Sequence, residues 1–282
     1  MESWKTGIVP FGERDVYSTL CLFLLAIALG RLLSMWLAKV PERKLEVWAW
    51  LTLVVSVLAD MSLRTRNGTI VASMMIISAV AIAGRRQLRL LALLGAVAII
   101  GGTSIGIETR WTGLGESLAV GWSSESEYWK SWDPADKPVT PSGARLEESA
   151  YARAAWARQA LNAIAEHPLG LGFGRDAFGR AVEMKYGYKG MVSSHSGWLD
   201  FALAAGIPGL ALLLLTAALA IRGGWRQFRQ HDDPAGLMFS FLVGGYLLRC
   251  LLDGHMSGWR LGLFAFLCGI LIAAMKPSPK SA

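Results

Sequence analysis

The sequence is poor in charged residues and in cysteine. Only 17% of its 282 residues are Asp, Glu, Lys or Arg, whereas an average soluble domain has about 25%. The three cysteines, Cys21, Cys250 and Cys268, all lie within apolar runs, as small buried hydrophobic residues do. Three cysteines and a 53% hydrophobic composition exclude a disulfide-rich scaffold and a disordered chain.

Long apolar runs dominate the chain, and its mean hydropathy is +0.40. A membrane helix needs about 20 mostly apolar residues. Seven segments approach that length: 17–38, 47–63, 69–84, 88–106, 196–221, 236–252 and 258–275. The fifth contains the run Gly206-Ile207-Pro208-Gly209, which predicts a kink or a break. We therefore predict an all-α, polytopic integral membrane protein with about seven transmembrane helices.

The distribution of basic residues predicts the sidedness of these helices. Eleven Lys and Arg residues lie in the connections 39–46, 85–89 and 222–231 and in the tail from residue 276, against five in 1–16, 63–68 and 253–260. Connections rich in Lys and Arg stay in the cytoplasm. The net charge of +7 is thus attributed to membrane orientation, and we expect no nucleic-acid partner.

This orientation places the hydrophilic segment 107–195 outside the cytoplasm. We divide the chain into membrane helices 1–4 (1–106), this loop subdomain (107–195), and membrane helices 5–7 with a cytoplasmic tail (196–282). An odd number of spans also puts the N-terminus outside, although nothing before Tyr17 resembles an export signal. Either the polar 16-residue tail is translocated or the chain is the C-terminal part of a longer protein, and we favour the second.

The loop segment is predicted to be partly helical. Its ten basic and eleven acidic residues nearly cancel, so it is not a polybasic patch. Apolar residues recur at helical spacing over 146–167, and Pro168 and Gly170 end the run. The first half, through Trp132 and on to Pro141, is predicted to be irregular.

Arg64 and Arg66 lie at the outer mouth where the second predicted span ends and the third begins. An arginine at a helix end usually snorkels to the interface. Alternatively, the free N–H groups of the helix start and the guanidinium of Arg66 bind one anion. The residues alone favour the interfacial role.

Three arginines, Arg145, Arg153 and Arg158, lie on or beside the predicted loop helix. Arg153 and Trp156 are three residues apart and therefore share a helix face, where a cation–π contact can form. An ordinary solvated helix face is the more common explanation.

His195 lies where the loop re-enters the membrane. Histidine has an unperturbed pKa near 6.5, so it can take or give a proton at physiological pH. The alternative, which the residues support equally, is a hydrogen-bonded histidine at a helix start.

Other residues point less directly to chemistry. Arg31 and Arg249 lie within predicted spans, where a charge is by default a functional candidate. The outer side has no HxxxH, CxxC or DxD pattern, so we expect no obligatory metal. The loop also contains four tryptophans, Trp111, Trp122, Trp129 and Trp132. They indicate an aromatic belt at the membrane interface or, less commonly, a surface that stacks on sugars.

Three stretches together resemble the C-terminal portion of the O-antigen ligase and polymerase superfamily. The first is the turn Thr65-Arg66-Asn67-Gly68. The second begins with Arg153-Ala154-Ala155-Trp156 and continues to Pro168-Leu169-Gly170. The third is His195-Ser196-Gly197-Trp198-Leu199, in which Ser196 stands where the superfamily commonly has Asn. Members also usually have several more N-terminal spans.

The resemblance implies a metal-independent, inverting glycosyltransferase of the bacterial inner membrane, with its active site facing the periplasm and no cofactor. Such an enzyme moves a glycan from an undecaprenyl diphosphate carrier to a hydroxyl of lipid A–core or another glycan acceptor. The surrounding membrane lipids are its other partners. The resemblance implies His195 as the catalytic base, with Arg66 and Arg153 stabilising the departing diphosphate.

We assign substrate-binding roles to the other nearby arginines, Arg64, Arg145, Arg158 and Arg249, with Arg145 as the substitute for Arg153. We expect the side chains of Arg66, Arg153 and His195 to line one outward-facing cavity.

Three alternatives remain open at this point. A polymerase of the same superfamily would use the same donor and similar residues. A transporter would use the broken fifth span and Arg31 near the membrane midplane. An inactive fragment of a longer protein is the third.

Overall fold

The computed structural model describes residues 14–39, 42–63, 65–83, 113–172 and 176–275. A 3-10 turn covers Pro134–Asp136. The α-helices of the described ranges are α1 (Arg14–Ala38), α2 (Arg43–Ser62), α3 (Arg66–Ala83), α4 (Leu114–Ser123), α5 (Tyr128–Ser131), α6 (Glu148–Glu166), α7 (Ala177–Tyr186), α8 (Gly197–His231), α9 (Pro234–Leu252) and α10 (Gly258–Ala274). These ranges contain no β-strand, so the predicted all-α class is confirmed.

Four helices of the described chain are long and apolar enough to cross a membrane: α1 from Val16, α3, α8 and α9. The predicted spans 17–38, 69–84, 196–221 and 236–252 fall on them. Helix α10 is apolar but has 17 residues. Helix α2 carries the predicted span 47–63 and exposes the large hydrophobic residues Val47, Trp48, Leu51, Val54, Val55 and Leu58.

Large exposed apolar surfaces of this kind mark contact with a membrane. The chain is therefore a polytopic membrane protein. The predicted span 88–106 lies outside the described residues, so the number of seven spans stays a prediction.

The chain divides into two compact units. The first contains the described residues within 1–104, 217–249 and 259–282, and the second contains those within 105–216 and 250–258. Helices α8 and α9 each contribute residues to both units. The division at residues 106 and 195 stays a prediction.

Close helix contacts hold the first unit together. A Cβ on Gly30 of α1 would lie 2.5 Å from the Cα of Met238 in α9. Gly245 of α9 likewise lies against the side chain of Met75 in α3. Small residues allow membrane helices to approach at backbone distance, where van der Waals packing rather than the hydrophobic effect holds them.

The second unit has a core of its own, which includes Trp129, Tyr151, Phe178 and Leu203. The predicted loop helix over 146–167 is confirmed as α6, which begins where the Glu147 side chain accepts a hydrogen bond from the Ala150 N–H at 2.6 Å. It ends before Pro168, because a residue that precedes proline is driven out of the helical region.

The prediction that the first half of the loop is irregular holds from Trp132 to Glu147, apart from the 3-10 turn. It is wrong for residues 114–123 and 128–131, which form α4 and α5. Gly121 of α4 packs on the backbone of Tyr151, so a Cβ there would overlap the Tyr151 carbonyl. Tertiary contact with α6, rather than a capping signal in the sequence, explains this helix.

The predicted break in the fifth span is confirmed. Helix α8 is interrupted at Gly206, whose backbone angles are φ 74° and ψ 175°. The turn Pro168–Leu171 fills the gap: the Ile207 N–H donates to the Pro168 carbonyl at 2.8 Å, and the Leu171 N–H donates to the Leu203 carbonyl at 2.7 Å. One N–H and one carbonyl that the break releases are therefore paired within the protein, as a membrane-embedded helix requires.

Candidate active site

Helix α6 presents Arg153 to the last residue of α9 and the residue after it. The Arg153 Nη1 donates to the Leu252 carbonyl at 2.9 Å, and its Nη2 lies 3.5 Å from the Oδ1 of Asp253. Asp253 is buried, whereas about a third of the Arg153 side chain is exposed, at 34%. The two contacts fix the direction of a guanidinium that has five N–H donors in all.

His195 stacks on Trp156 of the same helix. The two ring centroids are 4.9 Å apart and the ring planes differ by 13°. The indole is itself held, because its Nε1–H donates to the Trp129 carbonyl at 3.1 Å. Trp156 lies one turn beyond Arg153, and side chains three apart on a helix have Cβ atoms about 5–6 Å apart. Arg153 and His195 therefore lie on one face of α6.

The backbone of His195 is in the left-handed region, with φ 58°. Histidine tolerates this region better than most residues, but the conformation still costs free energy and needs support. The support is hydrogen bonding: the His195 N–H donates to the Oγ of Ser193 at 3.0 Å. The Ser193 hydroxyl in turn donates to the Oδ2 of Asp200 at 2.7 Å, and the Ser194 N–H donates to Oδ1 at 2.9 Å.

The segment after α9 closes this turn from another side. The Gly197 N–H donates to the Asp253 carbonyl at 3.1 Å. Gly254 packs so closely that a Cβ on it would lie 2.9 Å from the Ser193 Oγ. The same short segment thus contacts both Arg153 and the turn that carries His195.

Arg66 is the first residue of α3, and its side chain is half-buried in the first unit. The turn before it is anchored by a buried carboxylate: the Oδ1 of Asp60 accepts hydrogen bonds from the hydroxyls of Ser18 at 2.6 Å and Thr65 at 2.9 Å. That Arg66 lines the same cavity as Arg153 and His195 stays a prediction.

The other predicted substrate-binding arginines have different surroundings. Arg145 is exposed before α6. Arg158 is half-buried, and its Nη1 donates to the Trp122 carbonyl at 2.8 Å. Arg249 is only 1% exposed and interacts electrostatically with Asp60 within the first unit. Arg64 lies outside the described residues. The roles of all four stay predictions.

Three polar residues tie the start of α6 to α5. The Oε1 of Glu148 accepts from the Lys137 Nζ at 2.6 Å and from the Tyr128 hydroxyl at 2.9 Å. The hydrogen bond from Lys137, followed by that from Tyr128, lowers the pKa of Glu148, and the bond to Glu148 raises the pKa of Lys137. Burial, with the hydrogen bond to Glu148 second, raises the pKa of Tyr128.

Within the described ranges, no group of three or more His, Cys, Asp or Glu side chains is placed to hold a metal ion. The charged groups that the second unit brings beside His195 and Arg153 are instead Asp200 and Asp253. Neither was a candidate from the sequence. The sequence signal for Asp253 is an acidic residue directly after an apolar run of span length.

These features define an all-α, multi-pass membrane protein in which a helix of the large hydrophilic loop carries an arginine and, on the same face, a tryptophan that stacks on a histidine. Over residues 51–214, more than half of the chain, the sequence matches the family described as O-Antigen ligase. The chain belongs to the O-antigen ligase family. No curated protein matches it.

Proposed function

We propose that this protein is a glycosyltransferase of the bacterial inner membrane that acts on the periplasmic side. It takes a glycan from an undecaprenyl diphosphate carrier and joins it to a hydroxyl of lipid A–core. The observation that carries the proposal is the placement of His195 against Trp156, on the face of α6 that bears Arg153. Family membership supports the same class of reaction.

The proposed reaction is an inverting displacement that needs no metal ion. The acceptor oxygen forms a bond to the anomeric carbon while the bond from that carbon to the carrier phosphate breaks. His195 accepts the proton of the acceptor hydroxyl, and general-base help of this kind contributes about 10²–10⁴-fold. The electron pair of the broken bond leaves with the lipid diphosphate.

Arg153 and Arg66 stabilise the negative charge that develops on the diphosphate. A guanidinium stays charged and binds phosphate oxygens in a bidentate way. Among the described residues, one hydrogen bond and one ion pair hold Arg153 in place, whereas a guanidinium has five N–H donors. Arg66 adds the N–H groups at the start of α3, which favour an anion.

Two features favour a transporter, the break in α8 and Arg31 within α1, and each is explained by contacts with neighbouring residues. The break in α8 is filled by the turn Pro168–Leu171, whereas a transporter offers such backbone groups to its cargo. Arg31 pairs with Glu42, with the Nη2 of the arginine 2.7 Å from the carboxylate. A polymerase shares the proposed donor and residues, and differs in using a growing carrier-linked chain as acceptor.

Complementation tests the function. The chain is expressed in a bacterium that lacks its own O-antigen ligase, and lipopolysaccharide is resolved on a gel. We expect the wild type to restore the ladder and His195→Ala, Arg66→Ala and Arg153→Ala to abolish it with the protein still in the membrane. His231→Ala and Arg226→Ala, at the far end of α8, are matched controls that keep the ladder.

A second host, which lacks its O-antigen polymerase, separates the two acceptors. A wild-type chain that lengthens glycans only in this second host is a polymerase. A wild-type chain that changes lipopolysaccharide in neither host contradicts the proposed function.

A further inference from the structure

A row of aromatic rings leads away from His195 across the second unit. Trp156, which stacks on His195, makes an edge contact with Trp132, their centroids 6.4 Å apart and their planes at 81°. Trp132 in turn makes an edge contact with Tyr128 at 5.2 Å. Two ring contacts therefore separate Trp132 from His195.

The surroundings of Trp132 hold it in place while leaving it accessible. Tyr128, which contacts it, is buried, whereas Trp132 is 41% exposed. Its backbone has φ 55°, and its N–H donates to the Tyr128 carbonyl at 2.9 Å at the end of α5. A bulky residue at positive φ is an outlier, and such conformations cluster at ligand sites, where the surrounding structure maintains them.

We propose that Trp132 forms a sugar-binding subsite that stacks on the C–H face of a pyranose ring one or two units away from the sugar that reacts beside His195. This inference rests on the proposed function, because the glycan that is bound at Trp132 is the one that reacts beside His195. A tryptophan provides a large, rigid contact surface at a low cost in conformational entropy. The row of rings is continuous from Trp132 to His195, so successive units of one glycan lie along it.

Position distinguishes Trp132 from a residue of an interfacial belt. Trp122 is similarly exposed, at 49%, but it lies on α4 beside the exposed Leu118, an apolar face that suits a membrane interface. Trp132 has a different setting: Asp133 follows it, and the nearby rings lead to His195. Trp122 therefore serves as the matched control of the same residue type and the same unit.

Direct glycan binding tests the subsite without requiring catalysis. The full-length chain is purified in nanodiscs. The probes both come from the ligase-deficient complementation host. O-polysaccharide is released by mild acid from the lipid diphosphate carrier on which it accumulates, and core oligosaccharide is released by mild acid from the lipopolysaccharide. Saturation-transfer NMR titrations measure the Kd of each. The two probes represent the donor glycan and the acceptor glycan, so the one whose Kd responds to Trp132 identifies which of them the subsite holds.

We expect Trp132→Ala to raise the Kd of one probe about tenfold and Trp132→Phe to raise it less than about threefold, since an aromatic contact contributes on this scale. Trp122→Ala should leave both Kd values unchanged. Equal Kd values for the wild type and Trp132→Ala would overturn the subsite, as would a wild type that binds neither probe.

The failure of the subsite can be told apart from the failure of the proposed function. His195→Ala should lose transfer while it still binds the probe that responds to Trp132. A chain that binds a probe through Trp132 and transfers no glycan in either host contradicts the function alone. A chain that restores the ladder, but whose Trp132→Ala variant binds and transfers like the wild type, contradicts the subsite alone.

Discussion

The imidazole of His195 lies nearly parallel to the indole of Trp156, with ring centroids 4.9 Å apart. The indole is fixed by its hydrogen bond to the Trp129 carbonyl, and the histidine backbone is fixed by Ser193. A general base must meet the acceptor hydroxyl at hydrogen-bonding distance. The stack on Trp156 therefore orients the imidazole of the proposed base, and the hydrogen bond to Ser193 holds its backbone.

Trp156→Leu tests this positioning. Loss of the aromatic surface frees the imidazole to turn, and misplacement of a reacting group by about 1 Å can cost about 10²-fold in rate. We expect glycan transfer in isolated membranes to fall by about that factor, and Trp156→Phe to retain activity within about tenfold of the wild type. Transfer by Trp156→Leu at the wild-type rate would contradict the role of the stack.

Asp253→Asn tests the anchoring of Arg153. The substitution keeps the shape of the side chain and removes the negative charge that lies 3.5 Å from the guanidinium, while the hydrogen bond to the Leu252 carbonyl stays. We expect the rate of glycan transfer to fall about tenfold. Asp232→Asn, at an exposed acid after α8, is the control and should transfer normally. If Arg153→Ala is inactive while Asp253→Asn is fully active, the ion pair plays no positioning role.

Gly206→Ala tests the break in α8. The φ of 74° disfavours any side chain, and the new Cβ would lie 2.5 Å from the Leu169 carbonyl carbon. We expect a loss of about 3 kcal/mol in the free energy of unfolding, seen as a lower Tm in detergent. Gly223→Ala on the same helix meets nothing within 4 Å. It should leave Tm unchanged or raise it slightly. Similar Tm values for the two variants would disprove the strain.

Glu148→Gln tests the pH dependence of the contact between α5 and α6. The pKa of Glu148 is lowered by its hydrogen bonds, so its contribution to stability is present above the unfolded pKa of about 4.3 and is lost as pH falls through the folded pKa. The raised pKa of Lys137 keeps the partner charged until pH rises well above neutral.

We therefore expect the variant to be less stable than the wild type by less than about 1 kcal/mol at pH 7, because the pair is partly exposed. The difference should shrink below pH 4. Thermal unfolding at both pH values measures it, with Glu183→Gln, at the exposed ion pair with Lys189, as the control. A stability difference between the wild type and Glu148→Gln that grows as pH falls would contradict a stabilising role for the ionised Glu148.

The sequence by itself determined the membrane class, most of the helices and the break at Gly206. Apolar runs of span length and helical spacing are local properties, and the Gly-Ile-Pro-Gly run removes helix propensity whatever surrounds it. It also indicated Arg153 and Trp156 as neighbours, since residues three apart share a helix face in any context.

Tertiary structure decided the rest. Asp253 pairs with Arg153, which lies 100 residues earlier in the sequence. Asp200 supports the turn that carries His195 through its hydrogen bond to the Ser194 N–H. No periodic pattern in the sequence encodes such contacts. Helix α4 forms where Gly121 packs on the backbone of Tyr151. The stack of His195 on Trp156 joins residues 39 apart in the chain. Side chains that are distant in sequence meet only once the chain has folded, because packing rather than local propensity selects those pairs.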